Sequence, residues 1–266
     1  MKRKNMATMV TCIALVGAVA VGGTLALLSW PSNPVTNTFT VGEGYKANDV
    51  ILNEAKITKD TSPANFGGYK EDEMAGEDDR VETNTYADLV QGTTLAKDPR
   101  FKISINCSVE YSWIVAKIDG FNEHAGATQL SFASIDTSKI GSGEAWYHVT
   151  RQSDGKGGYT YNYTEITDRN FQAELVNDGV YLYGKPLQKG DTTEDLFQSL
   201  RVGKVVPVTG KDEKEKEQKK ITDIVVSGYA VEGVYTTDTE GNKHADTSDA
   251  AKNAVMNQVA SWAFGA

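Results

Sequence analysis

The chain has 266 residues, of which 39% are hydrophobic and 24% charged, an ordinary globular balance that supplies one sizeable core. Its net charge of −9 excludes a nucleic-acid-binding surface, which needs clustered cations to displace counterions. With two cysteines, Cys12 and Cys107, it is not a disulfide-stapled scaffold, and stability must come from burial.

The N-terminus carries Lys2-Arg3-Lys4 followed by an apolar run from Met6 to Leu28. A basic start, an apolar centre and small residues at its end make residues 1–26 a secretory signal, with the cut between Ala26 and Leu27 and Thr24 three residues from it. A run of this length also approaches the roughly 20 residues that span a bilayer, so a retained anchor is the alternative. Cleavage removes three cations and no acid, moving the net charge from −9 to −12, and takes Cys12 with it. Such acidity disfavours lasting contact with anionic lipid, so the membrane is met only in transit. Cys107 is expected to be a buried core thiol, because Phe101, Ile103, Ile105, Cys107 and Val109 alternate onto one face.

Period-two alternation dominates the chain beyond the signal. "VTNTFTV" sets Val35, Phe39 and Val41 on one face and Thr36, Thr38 and Thr40 on the other, with Asn37 marking an edge strand. Strands are expected in "NDVILNEAKI", "FKISI", "SWIVAKI", "AWYHVTR", "YTYNYTEI", "GVYLYG", "LFQSLRVGKVV" and "ITDIVVSGYAVEGVY". Asp154-Gly155 and Gly157-Gly158 mark a hairpin, since glycine supplies the positive φ that a tight reversal needs. Charge-rich stretches near 60–80 and 209–220 hold few apolar residues and are expected to be mobile loop insertions. Thr247 or Ser248 caps a final helix with Ala251, Val255, Val259 and Trp262 at near-helical spacing, expected to pack on the sheets. The fold class is therefore all-β with a C-terminal α-helix, in one domain over residues 42–266.

A catalytic centre is not readable. No helical zinc-protease pattern, nucleophile elbow, phosphate loop or dinucleotide fingerprint occurs, and the three histidines have no ligand-like neighbours. No cofactor is expected. The loop Asp238–Asp246 offers oxygens around a glycine but lacks calcium-loop spacing, and reads as a turn. Tyr159, Tyr161 and Tyr163, with Trp146 near by, form an aromatic ladder that serves either cross-strand packing or, if exposed, a carbohydrate-binding adhesin.

Several blocks together resemble the TasA and camelysin family of biofilm-matrix proteins, which are exported through a dedicated signal peptidase. They are "GGTLALLS", "VTNTFTVG", "VILNEAKI", "YADLVQGTTLAKDPRFKI", "SWIVAKI", "GVYLYGKPLQKGDTTEDLF" and "ITDIVVSGYAVEGV", scattered over residues 20–234. The resemblance implies a jelly-roll-like antiparallel β-sandwich assembled outside the bacterial cell, on its surface or in the matrix. It implies fibres in which the freed N-terminus of one subunit adds to the sheet of the next, with the chain itself and other matrix proteins as partners. Here that segment is 27–41, carrying Leu27, Leu28, Trp30, Val35, Phe39 and Val41. This chain departs from the family in reading "LLSWP" after the cut, and Pro31 and Pro34 remove ladder donors. Some members of the family are classed as metallopeptidases, but no ligand set here receives that role.

Overall fold

A computed structural model describes residues 39–41, 45–46, 48–86, 89–121, 129–204 and 224–265. The cleavage point Ala26, the assembly residues Leu27, Leu28, Trp30 and Val35, and the charged stretch 209–220 lie outside the described residues.

Two layers of β-sheet enclose the main core. The first is a six-stranded sheet in the order β1 (Phe39–Val41), β13 (Val225–Glu232), β7 (Ser112–Asp119), β11 (Gly179–Tyr183), β9 (Trp146–Ser153) and β10 (Tyr159–Glu165). The second combines a five-stranded sheet with a two-stranded one. The five strands run β3 (Ile57–Lys59), β4 (Tyr69–Glu71), β5 (Thr94–Ala96), β12 (Ser199–Val202) and β8 (Leu130–Ser134). The pair is β2 (Val50–Asn53) with β6 (Arg100–Ile103). Most pairings are antiparallel, with β1 on β13 and β4 on β5 as parallel exceptions. The fold is thus an all-β sandwich carrying a C-terminal helix.

Residues of both layers meet in one core: Ile114, Ala116, Ile118, Tyr181, Tyr183 and Val226 from the first, and Leu52, Leu95, Phe101, Phe132 and Leu200 from the second. The opposite face of the six-stranded sheet is also covered, by helix α2 (Asp249–Phe264). That double cover explains why β7 reads as the unbroken apolar run "SWIVA" and not as an alternation. Its Trp113 and Val115 turn toward the helix while Ile114 and Ala116 enter the sandwich.

Helix α2 begins where Ser248 Oγ accepts the Ala251 N–H at 3.2 Å. It buries Ala251, Val255, Met256, Val259 and Ala263. The Val255 and Val259 stripe is joined by Met256 and Ala263, whereas Trp262 is half-buried against Tyr229, 5.6 Å between ring centres. Each fully buried Val or Met contributes about 1.5–3 kcal/mol. Beside it, β14 (Tyr235–Thr237) and β15 (Lys243–Ala245) form a short exposed hairpin. Between β10 and β11 lies a single helical turn, α1 (Phe171–Glu174).

Three stretches depart from simple alternation. "NDVILNEAKI" breaks into β2 and β3, because Glu54 leaves the strand line to exchange backbone hydrogen bonds with Val81, at 2.9 and 2.8 Å. The strand expected through Cys107 stops at Ile103, leaving Ile105 71% exposed. Cys107 is buried nevertheless, brought inside by a turn in which its N–H donates to the Ser104 carbonyl at 3.0 Å. The charged stretch at 69–80 is not a mobile loop. It holds β4 with buried Tyr69, a 3-10 turn at Glu77–Asp79, and a buried Arg80 side chain. Most of its acids stay exposed, but Arg80 is drawn inside by Asp98, an outcome that composition alone does not encode.

Candidate functional site

The N-terminal strand is the first candidate. β1 lies at the margin of the six-stranded sheet, parallel to β13, with Phe39 opposite Gly228, Thr40 opposite Tyr229 and Val41 opposite Ala230. Among the described residues its ladder covers these three positions. Further along the chain, Tyr45 packs against the main core. Burial drives the Tyr45 hydroxyl well above the ordinary tyrosine range. Tyr45 thus anchors the chain in the core just after β1.

The second candidate is a clasp of buried charge at the β2–β3 break. Lys97 Nζ meets Glu54 Oε2 at 2.8 Å, with side chains 0% and 1% exposed. Next to it Arg80 Nη1 meets Asp98 Oδ2 at 2.6 Å, and Arg80 Nη2 donates to the Asp98 carbonyl at 2.7 Å. Arg80 Nε donates to Asn53 Oδ1 at 2.9 Å, and the Ala55 N–H donates to Asp98 Oδ1 at 2.7 Å. Glu54 Oε1 accepts the Asn84 N–H at 3.2 Å, while Asn84 Nδ2 donates to the Ala55 carbonyl at 2.7 Å. Every charge has a counter-charge, and Glu54, Arg80 and Asp98 have further hydrogen bonds, the condition under which buried ions are tolerable. The clasp ties three remote pieces, 53–55, 80–84 and 97–98, into one register.

Neither Glu54 nor Arg80 stands out in the sequence, and Lys97-Asp98 enters there only as part of a resembling block. The available signal was charge placed directly between two apolar strands, in "TLAKDPRFKI". A Lys-Asp pair there either ends both strands at the surface or is buried and paired, and the choice depends on partners 18 and 43 residues away in the chain.

Beside the clasp, Asp195 is half-buried, its Oδ1 without a hydrogen-bond partner among the described residues. Burial first, and the Asp98 carboxylate second, push its pKa up to about 7, against the pull of Arg80 and Arg100. A carboxyl whose folded pKa is raised stabilises the fold below its unfolded pKa of roughly 4, and that stability is lost as pH rises through about 7. Asp195→Asn is therefore expected to leave the melting temperature unchanged near pH 4. By pH 8 it should raise it a few degrees, about 1–2 kcal/mol once partial exposure is discounted. Parallel melts of both proteins across that range check this, and equal curves at every pH would refute it.

The aromatic ladder is not an open platform. Tyr161 and Tyr163 lie under α2, donating their hydroxyls to Asn257 Oδ1 at 3.0 Å and Asn253 Oδ1 at 2.9 Å. Trp146 faces the other way, into the main core against Phe101 and Tyr183. Tyr159 alone of the four is open, 49% exposed beneath the Arg151 guanidinium. A flat aromatic face for a sugar does not form.

The Asp238 carboxylate is taken up by its own turn. It accepts from the Glu240 and Asn242 N–H groups, from Asn242 Nδ2 and from His244 Nε2. These bonds, His244 foremost, hold its pKa down at about 2. His148 Nδ1 pairs with Glu174 Oε2 at 2.8 Å, fastening α1 to β9. Among the described residues no three His, Cys, Asp or Glu side chains converge as a metal ion would require.

No protein-family model, curated protein or solved structure matches the chain.

Proposed function

We propose that the chain is an exported structural subunit of an extracellular matrix, or an accessory to one, that assembles by passing its N-terminal segment to the next subunit. The observation that carries this reading is β1, which lies at the margin of the six-stranded sheet, pairs parallel with β13 over Phe39–Val41, and precedes the point where the chain is anchored in the core. An edge strand held so lightly can be replaced by the same strand of a neighbour, because main-chain hydrogen bonds are exchanged one for one and the sandwich stays intact. The basic and apolar N-terminus and the blocks that resemble TasA and camelysin support export, a dedicated signal peptidase and a jelly-roll arrangement of the sandwich. Self and other matrix proteins are the partners, and no cofactor or catalytic step is involved.

Placing a charge in the donor tests this. Phe39→Asp and Val35→Asp are each expected to abolish fibres seen by negative-stain electron microscopy while leaving the monomer's stability within about 1 kcal/mol of the parent. Normal fibres from both variants would remove the mechanism.

A further inference from the structure

We propose that the outer edge of β10 is an interface between two copies of this chain, joined antiparallel about a two-fold axis through Asn162. This goes beyond assembly through the N-terminus and does not depend on it.

Other strand ends of the fold are guarded. β8, at one margin of the five-stranded sheet, is capped by α1, whose Gln172 Nε2 donates to the Phe132 carbonyl. β3, at the other margin, is three residues long, and Asn84 Oδ1 accepts its Ile57 N–H at 3.3 Å. β1 is also three residues long. Short strands, covering groups and edge charges are the usual guards against unwanted pairing.

The Glu165 end of β10 is covered, where Asn170 Nδ2 donates to the Glu165 carbonyl at 2.8 Å, but from Tyr159 to Thr164 the strand has none of these guards among the described residues. It is seven residues long, and its register with β9 is unbroken from Tyr159 to Glu165. It contains no proline, lysine or arginine, and its sequence "YTYNYTE" is rich in the β-branched and aromatic residues that pair well. Among the described residues no backbone group is hydrogen-bonded to its outer edge. Thr160, Asn162 and Thr164 are exposed, whereas Tyr161 and Tyr163 are held in place by α2. Among the described residues the edge from Tyr159 to Thr164 is therefore held in place and uncovered.

A second copy is the occupant that the pattern fits. With Asn162 on the axis, Tyr161 faces Tyr163 of the other copy, Thr160 faces Thr164, and Tyr159 faces Glu165. Aromatic pairs and threonine pairs are favourable cross-strand neighbours, and an asparagine can hydrogen-bond to its own image. No like charges meet in this register, which matters in a chain of net charge −9. The single acid, Glu165, already has Oε1 engaged by the Gly141 N–H at 2.6 Å. Beyond the strand, exposed Lys156 and exposed Asp168 stand six residues on either side of Asn162, so the same axis carries each toward its opposite charge. Such an isologous contact closes on itself and makes a dimer, with the two six-stranded sheets continuous across it.

Cysteine placement tests the register. In the full chain with Cys12→Ser, held in a mild non-ionic detergent, Cys107 is buried and silent, so an introduced thiol reports alone. Asn162→Cys is expected to give about tenfold more disulfide-linked dimer under mild oxidation than Thr160→Cys or Thr164→Cys alone, because it alone meets its own image within disulfide reach. Mixing Thr160→Cys with Thr164→Cys should restore the cross-link. Paired lysines, Thr160→Lys with Thr164→Lys, should leave melting unchanged and convert the dimer to monomer in sedimentation. Equal cross-linking from all three single cysteines, no cross-link from Asn162→Cys, or a parent chain that sediments as a monomer would each overturn the interface.

Discussion

Replacing Lys97 by methionine is expected to cost about 3–5 kcal/mol of folding stability, the largest loss that any single exchange at the clasp should bring. The size comes from what remains. Glu54 is 1% exposed and loses its counter-ion at 2.8 Å, the one it has among the described residues, while Tyr86, its hydroxyl bound to the Ala96 carbonyl, offers no charge in return. Urea unfolding of the parent and the variant at pH 7 should show the deficit directly. Adding Glu54→Gln removes the unpaired charge and should recover more than half of the loss. A deficit under about 1 kcal/mol, the value of a surface pair, would mean that the clasp is solvated and structurally minor.

The clasp also marks where the sequence stopped being legible. Elements that satisfy themselves locally were readable: the β9–β10 hairpin from its glycines, with φ of 71° at Gly155 and 91° at Gly157, and α2 from its serine cap and Val255/Val259 spacing. Elements completed by distant partners were not. Arg80 sits in "AGEDDR", where every local signal says solvent, yet Asp98 and Asn53 draw it inside. Ile105 has the right parity for the core, but the turn at Ser104 ends the alternation and leaves it outside. The three tyrosines of β10 do share a face, but only the position of α2 decides that this face is covered and not open to a ligand. Of the strand read in "VTNTFTV", Phe39–Val41 lies within the described residues, at the sheet margin where it pairs with β13.

The two candidate sites differ in kind for the same physical reason. The clasp is costly to break because its charges are buried and paired, so it fixes the register of the sandwich. The exchange proposed for β1 would trade one set of ladder hydrogen bonds for an equivalent set, leaving the rest of the sandwich in place.

Truncation separates assembly through β1 from every other route. Protein beginning at Leu27 and protein beginning at Gly42 should be followed side by side by light scattering and negative-stain electron microscopy across salt and pH. Donor-strand exchange requires fibres from the longer chain alone, with more fibre as salt screens the charge of −12, and matching melting temperatures for the two monomers. Fibres from the chain that lacks residues 27–41, or none from either, would rule it out.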